Sequence, residues 1–328
     1  MKRLITLATV CVAVAALTLG AAPAAHAKEP LKIGYSDWPG FTSWQIGKEK
    51  GIFEKNGVDV ELVWFPVYTD SLTALNTGKL DGNLQTWSDT MAPLSEGIPL
   101  KVVLILDNSF GNDAIVAKPG IESVKDLKGK TVGTELATVD HFMLLNALAA
   151  NDMTESDIKY TNLTVQDAAA AFIAGKLDAA AIWQPWIAQI QREGKGKVIY
   201  SSADMPGLIP DLAVFQAKVV EERPEDIQAA VKSFFEIVDF IRNNEDEAVA
   251  IMAKVVEQPP SEYKAFLPGT KFFDLEANLN GFEKRDDNTS LYGSGKTIAE
   301  FLKKMDQIKE IPDYGAALEP KFVQALKK

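Results

Sequence analysis

The sequence predicts an α/β protein of two similar lobes, each a mostly parallel sheet flanked by helices, joined by two hinge crossings. Three observations carry that prediction. A four-residue phrase occurs twice, as Gly78-Lys79-Leu80-Asp81 and Gly175-Lys176-Leu177-Asp178; each copy follows a helical stretch and runs toward a tryptophan, Trp87 or Trp183. Short apolar strands alternate with helices around both copies, the pattern of a sheet covered on both faces. At 328 residues the chain is also long enough to divide its core in two.

Residues 1–27 read as an export signal. Lys2 and Arg3 precede the apolar run Leu4–Leu19, and Ala25-His26-Ala27 fits a small-x-small cleavage site. The run is short for a membrane span. Cys11, the only cysteine, lies inside it, so neither disulfides nor thiol chemistry are expected after cleavage. The formal charge of −11 becomes −13 once Lys2 and Arg3 are removed. A body this acidic is a poor partner for nucleic acid or an anionic membrane.

Lobe 1 is expected to comprise 28–113 and 217–328. It opens with the strand Leu31–Tyr35, followed by a helix from about Ser43 to Lys55 that Asn56-Gly57 closes. Val58–Phe65 alternates as a strand. A helix begins at Asp70, and strands follow at Gly82–Gln85 and Leu100–Leu106. Asn112–Lys118 carries the chain out. Lobe 2, 114–216, repeats the pattern with strands at Lys130–Thr134, Ile158–Leu163, Asp178–Ile182 and Lys197–Tyr200, and helices at Val139–Asn151 and Val165–Ala174. Pro210–Gln216 is the return strand, and the charge-rich helical tail from Pro224 packs back on lobe 1. Two crossings make a hinge that closes over a ligand.

The opening Lys32-Ile33-Gly34-Tyr35-Ser36-Asp37-Trp38, the block Gly51 to Val60, the two Gly-Lys-Leu-Asp turns and Asp126-Leu127-Lys128-Gly129-Lys130-Thr131-Val132-Gly133 together resemble a family. It is the periplasmic substrate-binding proteins of ABC importers of the nitrate/sulfonate/taurine type. The resemblance spans roughly Lys32 to Trp186. It implies a type II periplasmic-binding-protein fold, a periplasmic monomer, a small-molecule ligand and a membrane permease as partner. Ser36-Asp37-Trp38-Pro39-Gly40 and Trp64-Phe65 look closer to the branch associated with urea or guanidine carboxylase gene clusters, which implies a guanidine-like ligand.

The loops after the strands supply the expected ligand contacts: Asp37, Trp38, Thr86, Trp87, Asp113, Glu135, Thr138, Asp140, Trp183 and Gln184. Ser36, Asp89, Asp107, Trp186 and Asp211 fall in the same loops. No arginine occurs between Arg3 and Arg192, and no lysine falls at an expected strand tip. Anion binders commonly use an arginine fork, although helix N-termini also bind anions. Carboxylates and indoles instead suit a compact cation, through charge-assisted hydrogen bonds and cation–π contact. Guanidine or a urea-like amide is therefore the expected solute. Taurine, an alkanesulfonate or nitrate is the alternative, and a thiamin-pyrimidine-related enzyme a remote one.

Several residues have structural readings beside these. Asp70, Asp89 and Asp140 lie at expected helix starts, where carboxylates cap. Asp81 and Asp178 read as turn formers. Gly293-Ser294-Gly295-Lys296-Thr297 resembles the end of a phosphate-binding loop, but Ser290 stands where the earlier glycine belongs, so a flexible turn is expected. With His141 the only histidine after the leader and no cysteine, no cofactor or metal is expected. Asp286-Asp287-Asn288 lacks calcium-loop spacing.

Overall fold

The computed structural model describes residues 29–327; the expected export signal lies outside them. In chain order the strands are β1 (Leu31–Tyr35), β2 (Val60–Trp64), β3 (Gly82–Thr86), β4 (Leu100–Ser109), β5 (Asp113–Ala117), β6 (Thr131–Thr134), β7 (Lys159–Asn162), β8 (Ala179–Trp183), β9 (Lys197–Ser201), β10 (Pro210–Gln216) and β11 (Thr270–Phe272). They form two sheets, ordered β11-β4-β10-β3-β1-β2 and β7-β6-β8-β5-β9.

Each sheet has a parallel trio along one edge, β2-β1-β3 in one and β7-β6-β8 in the other, and its remaining pairs are antiparallel, so the sheets are mixed rather than mostly parallel. The repeated phrase builds both trios in the same way. Gly78 (φ +72°) and Gly175 (φ +78°) turn the chain out of a helix in the left-handed region, where glycine carries no Cβ penalty. Asp81 Oδ2 then accepts from Lys32 N, and Asp178 Oδ2 from Thr131 N, each at 2.9 Å. Each aspartate thus satisfies the amide at the start of the neighbouring strand. Leu80 and Leu177 are buried beside Gly34 and Gly133; a Cβ on either glycine would stand 2.5 Å from the leucine Cδ1. The repeat therefore includes a glycine in the partner strand that the matching phrase does not display.

The hinge crossings add antiparallel pairs: β5 against β8 and β9, and β10 against β3 and β4. This corrects two boundaries: Asp113, expected to end lobe 1, opens β5 of the smaller sheet. The return strand Pro210–Gln216, expected to end lobe 2, pairs with β3 and β4 of the larger sheet, so the crossing lies before it. Ser109 and Ser202 tie the crossings together by a 2.8 Å hydroxyl contact, and Ser202 Oγ also accepts from Gly111 N at 2.7 Å.

The expected Ser43–Lys55 helix is broken into Trp44–Glu49 and Ile52–Lys55, because Gly51 adopts φ +64° between them. The tail returns to the larger sheet through β11 and through Asn278, whose amide donates to Ile105 O and accepts from Ile105 N, both at 2.9 Å. Gly293-Ser294-Gly295 is not a flexible turn. It lies buried inside the helix Leu291–Lys304, where Ser290 caps by accepting from Gly293 N. A Cβ on Gly295 would approach Trp87 Nε1 to 2.9 Å, so glycine there makes room for an indole.

Candidate functional site

The two parallel trios point their strand ends at one another, the place where open α/β sheets hold ligands. Ser36, Trp38, Phe41, Tyr68, Thr86 and Asp211 from the larger lobe, with Asp113, Val139 and Trp183 from the smaller, enclose a cavity of about 10 Å³. That is the room one water needs. The lobes are shut.

The closed arrangement is held by hydrogen bonds across the cleft. Asp37, just beyond β1, accepts from Trp183 Nε1 at 2.8 Å and Trp186 Nε1 at 2.6 Å. Thr69 donates to Glu135 Oε1 at 2.6 Å, Val139 N donates to Asp89 Oδ2 at 3.2 Å, and Gln166 donates to Pro66 O at 2.6 Å. Each bond joins one lobe to the other. They place Asp37 and Glu135 at a latch beside the cavity.

Behind the lining lies a group of buried carboxyls. Asp107 and Asp140 are fully buried, and Asp113 and Asp211 are each 2 % exposed. Asp107 and Asp211 are directly paired in the β4–β10 register and interact through their side chains. Asp113 and Asp140 make a second such pair on the smaller lobe. Asp113 Oδ2, both Asp140 oxygens and Asp211 Oδ2 receive no N–H or O–H from the rest of the protein. Two carboxyls bond to each other only when one carries a proton. Loss of water on burial, reinforced by neighbouring acids, accordingly raises Asp140 and Asp211 well above the usual carboxylate range and raises Asp107 and Asp113 too. Burial lifts Asp37 and Asp89 to about 6 against the pull of their hydrogen bonds. No basic side chain lines the cavity. Among the described residues no group of three or more histidine, cysteine or acidic side chains is arranged to hold a metal ion.

The expected contacts separate into three sets. Trp38, Thr86, Asp113 and Trp183 line the cavity. Asp37, Glu135 and Asp140 stand beside or behind it, while Thr138 turns its hydroxyl to Glu135 O at 2.8 Å. Trp87 and Gln184 face elsewhere. The Trp87 indole donates to Leu291 O at 3.1 Å and packs edge-on to Tyr314, so it anchors the tail. Gln184 accepts from Ala188 N at 3.1 Å and borders a crevice at the hinge with Asn112 and Arg192. Asp70, Asp89 and Asp140 each stand in the first turn of a helix, where they complement its dipole as expected, but none makes the cap bond of its own helix. Thr86 caps the helix Trp87–Ser95, the N-cap residues of Tyr68–Asn76 and Val139–Ala149 make no side-chain cap bond, and the first amide of Val139–Ala149 is met instead by Asp89 from the other lobe.

Tyr68, Phe41 and Ile209 were not legible as lining residues. Tyr68 begins a helix after the apolar turn Phe65-Pro66-Val67 beyond β2, and its ring meets Trp183 edge-on at 5.6 Å while its hydroxyl accepts from Thr86 N at 3.1 Å. Its position, a ring at the first turn of the helix preceding a repeated turn, is the one available signal. Gly40 is a hidden requirement: a Cβ there would fall 1.8 Å from Asp107 Oδ2, which accepts from Trp38 Nε1.

Comparison with known proteins adds a family context. A family model described as NMT1/THI5 like matches residues 38–248. A relative from Brucella abortus (strain 2308), named only as a candidate binding protein, is 29 % identical over 70 % of this chain and 72 % of its own. The taurine-binding periplasmic protein of Escherichia coli (strain K12) is 24 % identical over 83 % of this chain and 86 % of its own. The alkanesulfonate-binding protein SsuA from Xanthomonas axonopodis pv. citri, solved bound to MOPS, superposes with a TM-score of 0.77 at 20 % identity, covering 90 % of this chain and all of that one.

Proposed function

Because this chain belongs to the NMT1/THI5-like family, we propose that it is the exported solute-binding component of an ABC importer, closing two lobes over a small solute that carries a cationic nitrogen. The observation that carries the ligand class is the pair of donor-free oxygens, Asp113 Oδ2 and Asp211 Oδ2, on acids that line a cavity with no basic side chain. Ammonium or guanidinium N–H groups would satisfy them, and burying a cation demands such pairing. Trp38 and Trp183 would supply the indole walls.

The relatives reported above give no support to guanidine itself; they favour the taurine and alkanesulfonate alternative. A taurine-like zwitterion answers both observations. Its ammonium would meet the acids, and its sulfonate the hydroxyls of Ser36 and Thr86. A simple alkanesulfonate or nitrate answers only the kinship, since it would bring negative charge against the acids.

Calorimetric titration with taurine, guanidinium, ethanesulfonate and nitrate tests the reading. Taurine or guanidinium should bind with no turnover, and the two solutes without a cationic nitrogen should not. Tight binding of ethanesulfonate or nitrate, with no response to either nitrogen-bearing solute, would overturn it.

A further inference from the structure

The two carboxyl pairs differ from ordinary buried acids in their arrangement. Asp107–Asp211 belongs to the larger lobe and Asp113–Asp140 to the smaller. One member of each pair, Asp211 and Asp113, reaches the cavity wall from opposite sides. Both are 98 % buried, and each carries an oxygen, Oδ2, that receives no donor. Within each pair the shared proton is the only hydrogen available to bridge the oxygens.

We infer that Asp113 and Asp211 form a split cation subsite whose occupation displaces a shared proton, so that capture of the solute releases protons to solvent. This inference rests on the proposed cationic-nitrogen reading and assigns where and how that nitrogen is held. The exchange balances simply. A solute N–H donates to Asp113 or Asp211 in place of the carboxyl hydrogen, and the displaced proton leaves to water. Positive charge enters as positive charge departs.

The surrounding titratable groups act in the same direction. Asp89 on the helix Trp87–Ser95 faces Asp113 and Asp211, Glu135 beyond β6 faces Asp140, and Asp37 faces the Tyr263 hydroxyl that also adjoins Asp107. Tyr68 on the helix Tyr68–Asn76 adjoins Asp89 and Asp211, and its hydroxyl stays protonated. These are acids or neutral phenols, while His141, next to Asp140 on the helix Val139–Ala149, turns its Nε2 to Glu155 Oε2 at 2.6 Å.

Affinity should therefore climb with pH, roughly tenfold per unit where one proton is released. Raising pH from 6 to 7 in titrations of the full chain with taurine and with guanidinium tests this. Repeating each titration in buffers of different ionisation enthalpy counts the protons directly. The expected result is release of between about half a proton and one proton per solute, lost in Asp113→Asn and in Asp211→Asn. Asp140→Asn, which removes the partner but leaves Asp113, should still bind with a flatter pH profile. A solute that binds at equal strength from pH 6 to 8 with no proton exchange overturns the inference while leaving the nitrogen reading intact. Binding confined to ethanesulfonate or nitrate overturns both. If the asparagine variants misfold, the wild-type buffer series alone decides.

Discussion

Trp87 and Trp183 follow the two copies of the repeat one residue out of step, since Trp183 ends its strand at the position Thr86 holds in the other copy and Trp87 opens the next helix, and they do different work. Trp183 sits on the cavity wall with its indole on Asp37, whereas Trp87 is fully buried against Leu291 and Tyr314. Trp87→Ala should cost about 3–5 kcal/mol in denaturant unfolding while the surviving folded protein keeps its solute affinity. Trp183→Ala should weaken solute binding. A Trp87→Ala protein that unfolds like wild type but has lost its solute would reverse the assignment. The sequence placed both rings at strand ends. The one-residue offset from the repeat already sets them on different sides of the strand tip, but the partner each meets, 204 residues away for Trp87 and 146 for Trp183, is fixed only in the assembled fold. Trp87 finds its partners in the tail, and Trp183 finds Asp37. The same holds for Asp113 and Asp211. Their loops marked them as candidates, but their lack of donors is a property of the assembled cleft.

At the level of elements, the repeated Gly-Lys-Leu-Asp turns were the most legible part of the fold, because glycine, leucine and aspartate each have a local task. The glycine takes a positive φ, the leucine fills the space over Gly34 or Gly133, and the aspartate caps the adjacent strand. Asp178→Ala should cost about 1–2 kcal/mol, since Thr131 N loses its acceptor; equilibrium denaturation measures it, and an unchanged midpoint would count against the capping role. The antiparallel pairings were less legible. Strand sequence carries no direction, so β10 read as the end of lobe 2 although its hydrogen bonds lie with β3 and β4. The Gly-Ser-Gly run misled for a related reason. Glycine marks a loop unless a neighbour fills the space it leaves, and here Trp87 and Tyr314 do so.

Across the whole molecule, two sets of acids act on closure in different ways. Asp37 takes indole hydrogens from the opposite lobe and favours the shut form. Asp37→Ala should shift the solute-free protein toward an open form, seen as a larger radius of gyration by small-angle X-ray scattering; an unchanged radius would exclude the latch. The buried acids set a pH dependence. Asp37 and Asp89 are raised to about 6 from an unfolded value near 4. Their neutral forms are accommodated below about pH 4, and that contribution is lost as pH rises through 6, by roughly 3 kcal/mol for each. Solute-free protein should therefore melt at a higher temperature at pH 5 than at pH 7. The half-buried acids with lowered values, such as Asp157 and Asp274, titrate below this window and do not reverse the sign. A melting temperature that climbs from pH 5 to 7 would mean the cleft acids are not desolvated in solution.

A crystal structure of the protein grown with taurine bears most directly on the whole account. The amino nitrogen should lie about 2.7–3.1 Å from an oxygen of both Asp113 and Asp211, between Trp38 and Trp183. Density showing the sulfonate against those two aspartates' neighbours with the nitrogen in solvent, or the acids turned out of the cleft, would contradict it.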